Sequence, residues 1–226
     1  MVKIGTEWIQ IYGPWMVMLS HAKAQTEGFV SALTGTAQVD FQRGNSQTAD
    51  SHFEEGTSGL DTAYIEGVDM VYFAGHGSST GPMFRTPSTG DDGAALTSEL
   101  RWGNAPGSRL KWVVLDCCSA LLSVSTASPP GSDTLTRWAG AFGGIHQILG
   151  FQTACTDEET RGEAFGEYLA AGDSVRSAWR KACQESEDST RKYAILRKEG
   201  AYYQTLSNTT GSAAASAPIN YESGKC

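Results

Sequence analysis

Two short apolar segments constrain the fold of this chain more than any other feature of its sequence. Residues 68–73 and 112–115 are apolar almost throughout, and each segment runs into small polar residues. Strands that read as continuous apolar runs are buried on both faces, which is typical of the centre of a parallel sheet. The sequence therefore predicts an α/β fold with both segments in the middle of a mostly parallel sheet.

Further elements are predicted on either side of these two strands. Apolar patterning predicts a first strand at residues 7–12, a helix at about 20–33 and a late strand at 193–196. Thr156 and Glu159 have the spacing of a capping box that begins a helix, and Gly172 is typical of a helix end. The helix after Gly172 has one apolar stripe, which makes Cys183 a core residue; the stripe consists of Val175, Ala178, Trp179, Ala182 and Cys183.

Length and composition limit the domain organisation. With 226 residues the chain suits a single domain, which we expect to span residues 1–206. The Ser-, Ala- and Thr-rich residues 207–226 are expected to form a flexible C-terminal tail. The apolar fraction is 40%, and no apolar run approaches the ~18 residues of a membrane span, so a soluble protein without membrane contact is expected.

Charge and cysteine content exclude several classes of function. A net charge of −8 argues against nucleic-acid binding, which requires a basic surface. The N-terminus has no signal-like apolar segment, so a cytoplasmic location is the default expectation, although a removed signal remains an alternative. The five cysteines (117, 118, 155, 183 and 226) lack metal-type spacing, and no phosphate or dinucleotide loop is present. No cofactor or metal is therefore predicted.

A histidine and a cysteine follow the two central strands. His76 comes after the first and Cys118 after the second. Because binding sites in α/β sheets lie outside the carboxyl ends of the strands, the two side chains should converge if the strands are adjacent. A thiol is a poor nucleophile at neutral pH unless a base or cation lies beside it, and His suits that role. The pair is a candidate catalytic dyad.

The motif His76-Gly77-Ser78 after one apolar strand and Asp116-Cys117-Cys118 after the next resembles the signature of the caspase-like cysteine peptidases. This group, clan CD, includes gingipains, separase, legumains and metacaspases. Residues 143–179 resemble the strand and helix pair that follows the nucleophile in such domains. The resemblance implies a caspase-like three-layer sandwich with helices on both faces of the sheet. Within the group, a bacterial domain family of undefined function is the best match.

The resemblance also implies roles for individual residues. It places the nucleophile at Cys118, the general base and acid at His76, and the oxyanion hole at the backbone N–H groups of Gly77 and Cys118. Cys117 stands where the group usually has Ala or Ser. Because successive strand side chains alternate between faces, Cys117 should point away from the site.

The same alternation puts Asp116 on the face of Cys118, and the resemblance implies that it lines the pocket for the residue before the cleaved bond. A preference for Arg, Lys or Asn at that position follows. The alternative is that Asp116 caps a turn or pairs with a core arginine. Ser78 and Ser119 are predicted to bind substrate, and the loops at 77–97 and 119–133 to wall a cleft.

The remaining histidines and tryptophans are given structural roles. His146 lies within an apolar strand, where packing is favoured over catalysis. His21 and His52 have polar neighbours and are expected at the surface. Three tryptophans are expected to be core or loop anchors rather than part of a cofactor site; these are Trp102, Trp138 and Trp179.

The leading functional hypothesis is a cysteine endopeptidase that acts through a thioester intermediate. A second hypothesis is a hydrolase or acyltransferase for a small amide, ester or thioester, because the same dyad serves either substrate. A third is a pseudoenzyme that binds a partner through an inherited cleft. The sequence does not predict the oligomeric state.

Overall fold

A mostly parallel sheet of seven strands forms the centre of the protein within the described residues. The computed structural model describes residues 1–14, 16–55, 59–85, 93–124, 132–209 and 211–226. The strands are β1 (Val2–Trp8), β2 (Ala37–Gly44), β3 (Met70–Ala74), β4 (Gly77–Ser78), β5 (Gly81–Pro82), β6 (Trp112–Asp116), β7 (Gln147–Phe151), β8 (Lys192–Lys198) and β9 (Ile219–Lys225). The helices are α1 (Ala22–Ala32), α2 (Thr134–Trp138), α3 (Arg161–Ala170) and α4 (Val175–Ser186).

The strand order across the sheet is β2-β1-β3-β6-β7-β8-β9. The first five strands pair in parallel, and β8 and β9 pair antiparallel to their neighbours. Strands β3 and β6 lie side by side in the middle, with Ala74 opposite Asp116. The predicted α/β fold class is confirmed, and the central position of the two apolar segments explains their composition.

Both faces of the sheet are covered, as predicted, but by different elements. Helices α1, α3 and α4 pack on one face, where Phe29, Phe165 and Trp179 belong to the same buried cluster. The short α2 and several 3₁₀ turns cover the other face, where Trp102 and Trp138 are buried. All three tryptophans that were expected to anchor the fold are fully buried. The three longest helices therefore share one face.

Helices α1 and α3 pack closely because α3 presents glycines to α1. A Cβ atom at Gly162 would lie 1.9 Å from the carbonyl oxygen of Gln25, and one at Gly166 would lie 2.7 Å from the Cβ of Ala32. Any larger residue at these positions would push the helices apart. This contact fixes the N-terminal part of α1 near the carboxyl edge of the central strands.

The first strand is Val2–Trp8, so the prediction of a strand at residues 7–12 is wrong. Gly5 hides the pattern, since it breaks the apolar alternation. The structure requires glycine there, because a Cβ atom would lie 2.2 Å from the ring of Phe41 on β2. The chain leaves the sheet after Trp8, and Tyr12 then reaches the end of β3.

The helical predictions hold apart from one cap. Helix α1 matches the predicted helix at 20–33, and α4 buries Cys183 as its stripe predicted. The predicted capping box is wrong: α3 begins at Arg161, and Thr156 instead donates from its backbone N–H and its hydroxyl to Glu187. Gly172 adopts φ +92° just after α3, as expected of a helix end.

The C-terminal residues contain a strand, which contradicts the expected flexible tail. Strand β9 pairs with β8 along its whole length and is the edge strand on that side of the sheet. Tyr221 and Cys226 pack against the two buried clusters. The Ser- and Ala-rich composition describes only the segment that precedes β9, and the prediction wrongly extended it to the end of the chain.

His52 is buried, so the expectation of a surface position is wrong. Its Nδ1 lies 2.8 Å from an Oε1 of Glu7, which is itself fully buried at the end of β1. Burial raises the pKa of Glu7, and His52 opposes that rise.

The other two histidines with expected structural or surface positions lie where they were predicted. His21 is half-exposed, and its Nδ1 lies 3.3 Å from the Oε2 of Glu159. His146 lies just before β7, buried beside Gln204 and the carbonyl of Gly211, in the predicted structural role.

Among the helices of the described residues, none has the length and apolarity that a membrane span requires.

Candidate active site

The structure brings His76 and Cys118 together at the carboxyl edge of the sheet. Each follows one of the two adjacent central strands, β3 and β6, and both line a cavity of about 130 Å³. The N-terminal part of α1 and residues 155–157 after β7 form other walls of the cavity. This is the edge at which open α/β sheets bind ligands.

The two neighbouring cysteines point to opposite faces, as strand alternation predicts. The side chain of Cys117 is fully buried in the cluster on the α2 face of the sheet. Cys118 is half-buried and lines the cavity. Burial raises the pKa of Cys117 well above its ordinary value. Of these two cysteines, Cys118 is therefore the one that presents its sulfur to the cavity.

A left-handed turn follows Cys118 immediately. Ser119 has φ +59°, which is uncommon for a residue other than glycine. Its backbone N–H donates to the carbonyl of Thr153 at 2.9 Å, so the turn is tied to the loop that follows β7. The chain therefore turns back at the edge of the sheet, and Cys118 lies immediately before this turn.

The thiol of Cys118 has a lowered pKa of about 6. The largest cause is a hydrogen bond from the thiol of Cys155, whose Sγ lies 3.5 Å from the Sγ of Cys118. The backbone N–H of Cys155, 3.2 Å from that sulfur, and the positive charge of His76 act in the same direction, whereas burial opposes them. A thiolate therefore predominates at neutral pH.

The ring of His76 is oriented by two residues from the segment after β1. Its Nε2 lies 2.7 Å from the carbonyl oxygen of Val17, and its ring centroid lies 4.6 Å from that of Tyr12. A carbonyl oxygen only accepts hydrogen bonds, so Nε2 carries a proton and Nδ1 is the nitrogen left for proton exchange. The backbone N–H of His76 donates to the Tyr12 hydroxyl at 2.6 Å, which fixes the residue further.

The backbone of Gly77 is in close contact with Cys117 and Cys118. A Cβ atom at Gly77 would lie 2.5 Å from the Sγ of Cys117 and 2.9 Å from the carbonyl oxygen of Cys118, so only glycine fits. Gly77 pairs with Pro82, and the neighbouring hydrogen bond from Met83 to His76 makes this a pair of the non-hydrogen-bonded type. The N–H of Gly77 therefore points away from the hairpin formed by β4 and β5.

Asp116 is engaged by a core arginine, the alternative that the sequence left open. One oxygen lies 2.5 Å from the Nη1 of Arg161, and the other accepts a hydrogen bond of 2.5 Å from the Tyr72 hydroxyl. The side chains of Asp116 and Arg161 are almost fully buried. Asp116 borders the cavity, but because the buried Arg161 neutralises its charge, it is not an open partner for a substrate cation.

The two serines expected to bind substrate, Ser78 at the end of β4 and Ser119 in the turn after Cys118, are not among the residues that line the cavity. Ser78 accepts a hydrogen bond from the backbone of Thr80 and shares another with the Thr80 hydroxyl, so it closes the β4–β5 hairpin. Ser119 forms the turn after the nucleophile candidate. The predicted loop walls at 77–97 and 119–133 include residues 86–92 and 125–131, which lie outside the described residues.

The chain matches the model of a domain family of unknown function, DUF6345, over residues 6–217. The chain belongs to this family. The expectation of a family of undefined function is met, and the family model itself assigns neither an activity nor a place in the caspase-like group. A comparison with curated proteins gives no match.

Among solved structures, the chain is similar to a secreted C11 cysteine protease from Bacteroides thetaiotaomicron in complex with an irreversible peptide inhibitor. The TM-score is 0.49 and the sequence identity is 8%. The similarity covers 87% of this chain and 66% of the protease, so the chain spans less than two thirds of that protein.

Sequence reasoning missed Cys155. It follows β7, the parallel strand next to β6, just as His76 and Cys118 follow β3 and β6. The same rule about carboxyl strand ends would have found it. Within the described residues, no group of three His, Cys, Asp or Glu side chains is arranged to hold a metal ion.

Replacing Asp116 with Ala should lower the free energy of unfolding by about 3–5 kcal/mol, because it leaves the buried Arg161 without one of its carboxylates. Denaturant unfolding measures this loss. The matched control is Asp173→Ala, which removes a partly exposed partner of Lys181 and should cost about 0–1 kcal/mol. Equal losses in the two variants would show that the Asp116 pair is not a structural element.

Proposed function

We propose that the protein is a cysteine-dependent hydrolase that cleaves peptide bonds through Cys118 and His76. The observation that carries this proposal is the pairing of a half-buried thiol of lowered pKa with an oriented histidine in one cavity. Structural cysteines are usually inert and have raised pKa values when buried. Cys117 behaves in that way, and Cys118, its neighbour in the chain, does not.

In the proposed reaction the Cys118 thiol gives its proton to Nδ1 of His76, and the resulting thiolate attacks the carbonyl carbon of the scissile bond. His76 donates the proton on Nδ1 to the leaving amine, and its Nε2–H stays on the Val17 carbonyl. The products of this step are an amine and a thioester on Cys118. A water molecule then gives a proton to Nδ1 and attacks the thioester, which releases the acid and restores the thiolate.

The N–H groups of Gly77 and Cys118 are the proposed donors to the oxyanion. The N–H of Gly77 is directed away from its hairpin partner, and the contact of Gly77 with Cys118 brings the two backbone segments together. Donors of this kind contribute when they are aimed at the position of the developing charge. The left-handed turn at Ser119 holds the second donor at the edge of the sheet.

The cavity suggests which side chain precedes the cleaved bond. Its volume of about 130 Å³ suits a single side chain. Asp157 lines the cavity and is half-exposed, with its oxygens facing the backbone N–H of His21 and the Ser20 hydroxyl. In this proposal Asp157, rather than Asp116, is the carboxylate that binds the side chain before the cleaved bond. The proposed preference for Arg, Lys or Asn depends on this carboxylate.

A second candidate is hydrolysis or transfer of a small acyl group. The observation in its favour is also the volume of the cavity, which is smaller than the roughly 300–1,000 Å³ of sites for drug-sized ligands. A short acyl thioester or ester would fill such a cavity without an extended peptide groove. The dyad chemistry would be the same.

Profiling with a peptide library and a panel of short acyl thioesters tests the proposal. We expect the wild-type protein to cleave peptides after Arg, Lys or Asn, and the Cys118→Ala variant to cleave none. Asp157→Asn should reduce the kcat/KM for basic peptides more than that for Asn peptides, because it removes the charge. Turnover of thioesters alone would favour the second candidate, and turnover of neither class would favour a binding protein.

A further inference from the structure

Cys155 is a thiol at the cavity that the proposed reaction does not require. Its Sγ lies 3.5 Å from the Sγ of Cys118, and both residues line the same cavity. Acyl transfer by a Cys-His dyad needs one sulfur atom. A second thiol in contact with the first therefore calls for a separate explanation.

We propose that Cys118 and Cys155 form a reversible disulfide that switches the site off when a peroxide is present. The disulfide occupies the nucleophile and protects it from irreversible oxidation. This inference rests on the proposed function only in taking Cys118 as the nucleophile.

The oxidation proceeds in two balanced steps. The Cys118 thiolate attacks one oxygen of hydrogen peroxide, the O–O bond breaks, and hydroxide leaves, which gives a sulfenic acid on Cys118. The sulfur of Cys155 then attacks the sulfenic sulfur, the S–O bond breaks, and the leaving hydroxide takes the thiol proton to form water. The peroxide is reduced and the two thiols are oxidised.

The geometry favours Cys155 over the other cysteines as the partner. To bond, the two sulfur atoms must close from 3.5 Å to about 2.05 Å, a shift within reach of side-chain rotation. The loops that carry them are already joined by the hydrogen bond from Ser119 to Thr153 and by that from the Cys155 N–H to the Cys118 sulfur. Cys117 points to the opposite face, and Cys183 is buried on α4 in the cluster between the helices and the sheet.

The charge state of the pair favours the same order of events. Cys118 is the thiolate of the pair, and its hydrogen bond is the largest cause that raises the pKa of Cys155. Once Cys118 is a neutral sulfenic acid, that cause is removed. The thiol of Cys155 then ionises more easily beside the atom that it has to attack.

Peroxide treatment followed by tryptic mapping without reduction tests the proposal. Cleavage after Lys111, Arg137 and Arg161 separates the two cysteines into peptides 112–137 and 138–161. We expect these peptides to be joined after treatment, with loss of iodoacetamide labelling at Cys118 that dithiothreitol restores. The joined peptides should form equally in the Cys117→Ala variant.

Two further variants sharpen the test. In Cys155→Ser the joined peptides should be absent, and Cys118 should gain two oxygen atoms as a sulfinic acid whose labelling dithiothreitol does not restore. In Cys226→Ser, a matched change at a cysteine outside the cavity, the joined peptides should persist.

A bond confined to peptide 112–137, as in a vicinal disulfide of Cys117 and Cys118, would overturn the inference. Equal sulfinic acid in the wild-type and Cys155→Ser proteins would also overturn it. Both readouts are masses and labels, so they do not depend on turnover. A protein that forms the joined peptides but hydrolyses nothing would refute the proposed function alone, and the reverse result would refute the switch alone.

Discussion

Replacing Cys118 with Ala should abolish turnover and the covalent labelling of peptide 112–137, whereas Cys117→Ala should leave most of both. Loss of an essential nucleophile reduces kcat by on the order of a millionfold in hydrolases that have been dissected in this way. Cys117 is fully buried on the other face of the sheet and has a raised pKa, so it does not replace its neighbour. Labelling by an iodoacetamide probe and hydrolysis of a peptide substrate measure the two effects.

The pH dependence of labelling identifies the reacting thiol independently. The thiolate fraction increases as the pH rises through the pKa, so the labelling rate should rise with a midpoint near pH 6 and level off above it. An unperturbed cysteine would give a midpoint of about 8.5. A midpoint in that range, or loss of label only in Cys117→Ala, would transfer the nucleophile's role away from Cys118.

The parts of the fold that the sequence predicted are those where burial determines composition. Strands β3 and β6 are covered on both faces, so their residues are apolar without alternation, and the polar residues that follow them mark the edge of the sheet. Alternation then assigned Cys117 to the core and Cys118 to the cavity. Both predictions used a pattern among neighbouring residues, apolar composition in one case and side-chain alternation in the other, and each pattern has a single physical cause.

Two of the predictions that were wrong, the surface position of His52 and the flexible C-terminal tail, concern contacts between segments distant in sequence. His52 has polar neighbours along the chain, but its partner Glu7 lies on β1, 45 residues away. Strand β9 contains few apolar residues. It is the edge strand of the sheet, so only one of its sides pairs with another strand. Only a few of its residues, such as Tyr221, pack against the core. Local composition contains no signal for such pairings.

The function of Asp116 shows the same limit within the site. Strand alternation correctly put it on the face of Cys118, and it borders the cavity. Whether its charge is open to a substrate depends on Arg161, at the start of α3, 45 residues further along the chain. An arginine there is not recognisable as its partner until the helix is packed on the sheet. Asp157, by contrast, stays half-exposed in the cavity wall.

Replacing His76 with Ala should lower kcat by about 100- to 10,000-fold, because the leaving amine then has no positioned proton donor. The residue is half-buried at the edge of the sheet, so the variant should retain the fold. Because the charge of His76 is one of the causes that lower the pKa of Cys118, the midpoint of labelling should also move to higher pH. Steady-state kinetics and the labelling profile measure the two changes.

The matched control is His146→Ala, at the opposite end of the sheet from the cavity. His146 precedes β7, whereas Cys155 follows it, and its ring nitrogens contact Gln204 and the carbonyl of Gly211. Its removal should destabilise the protein but leave kcat and the labelling midpoint of the folded fraction unchanged. A large loss of kcat in His146→Ala with none in His76→Ala would refute the assignment of His76 as the proton donor, because turnover would then depend on the histidine at the other end of the sheet.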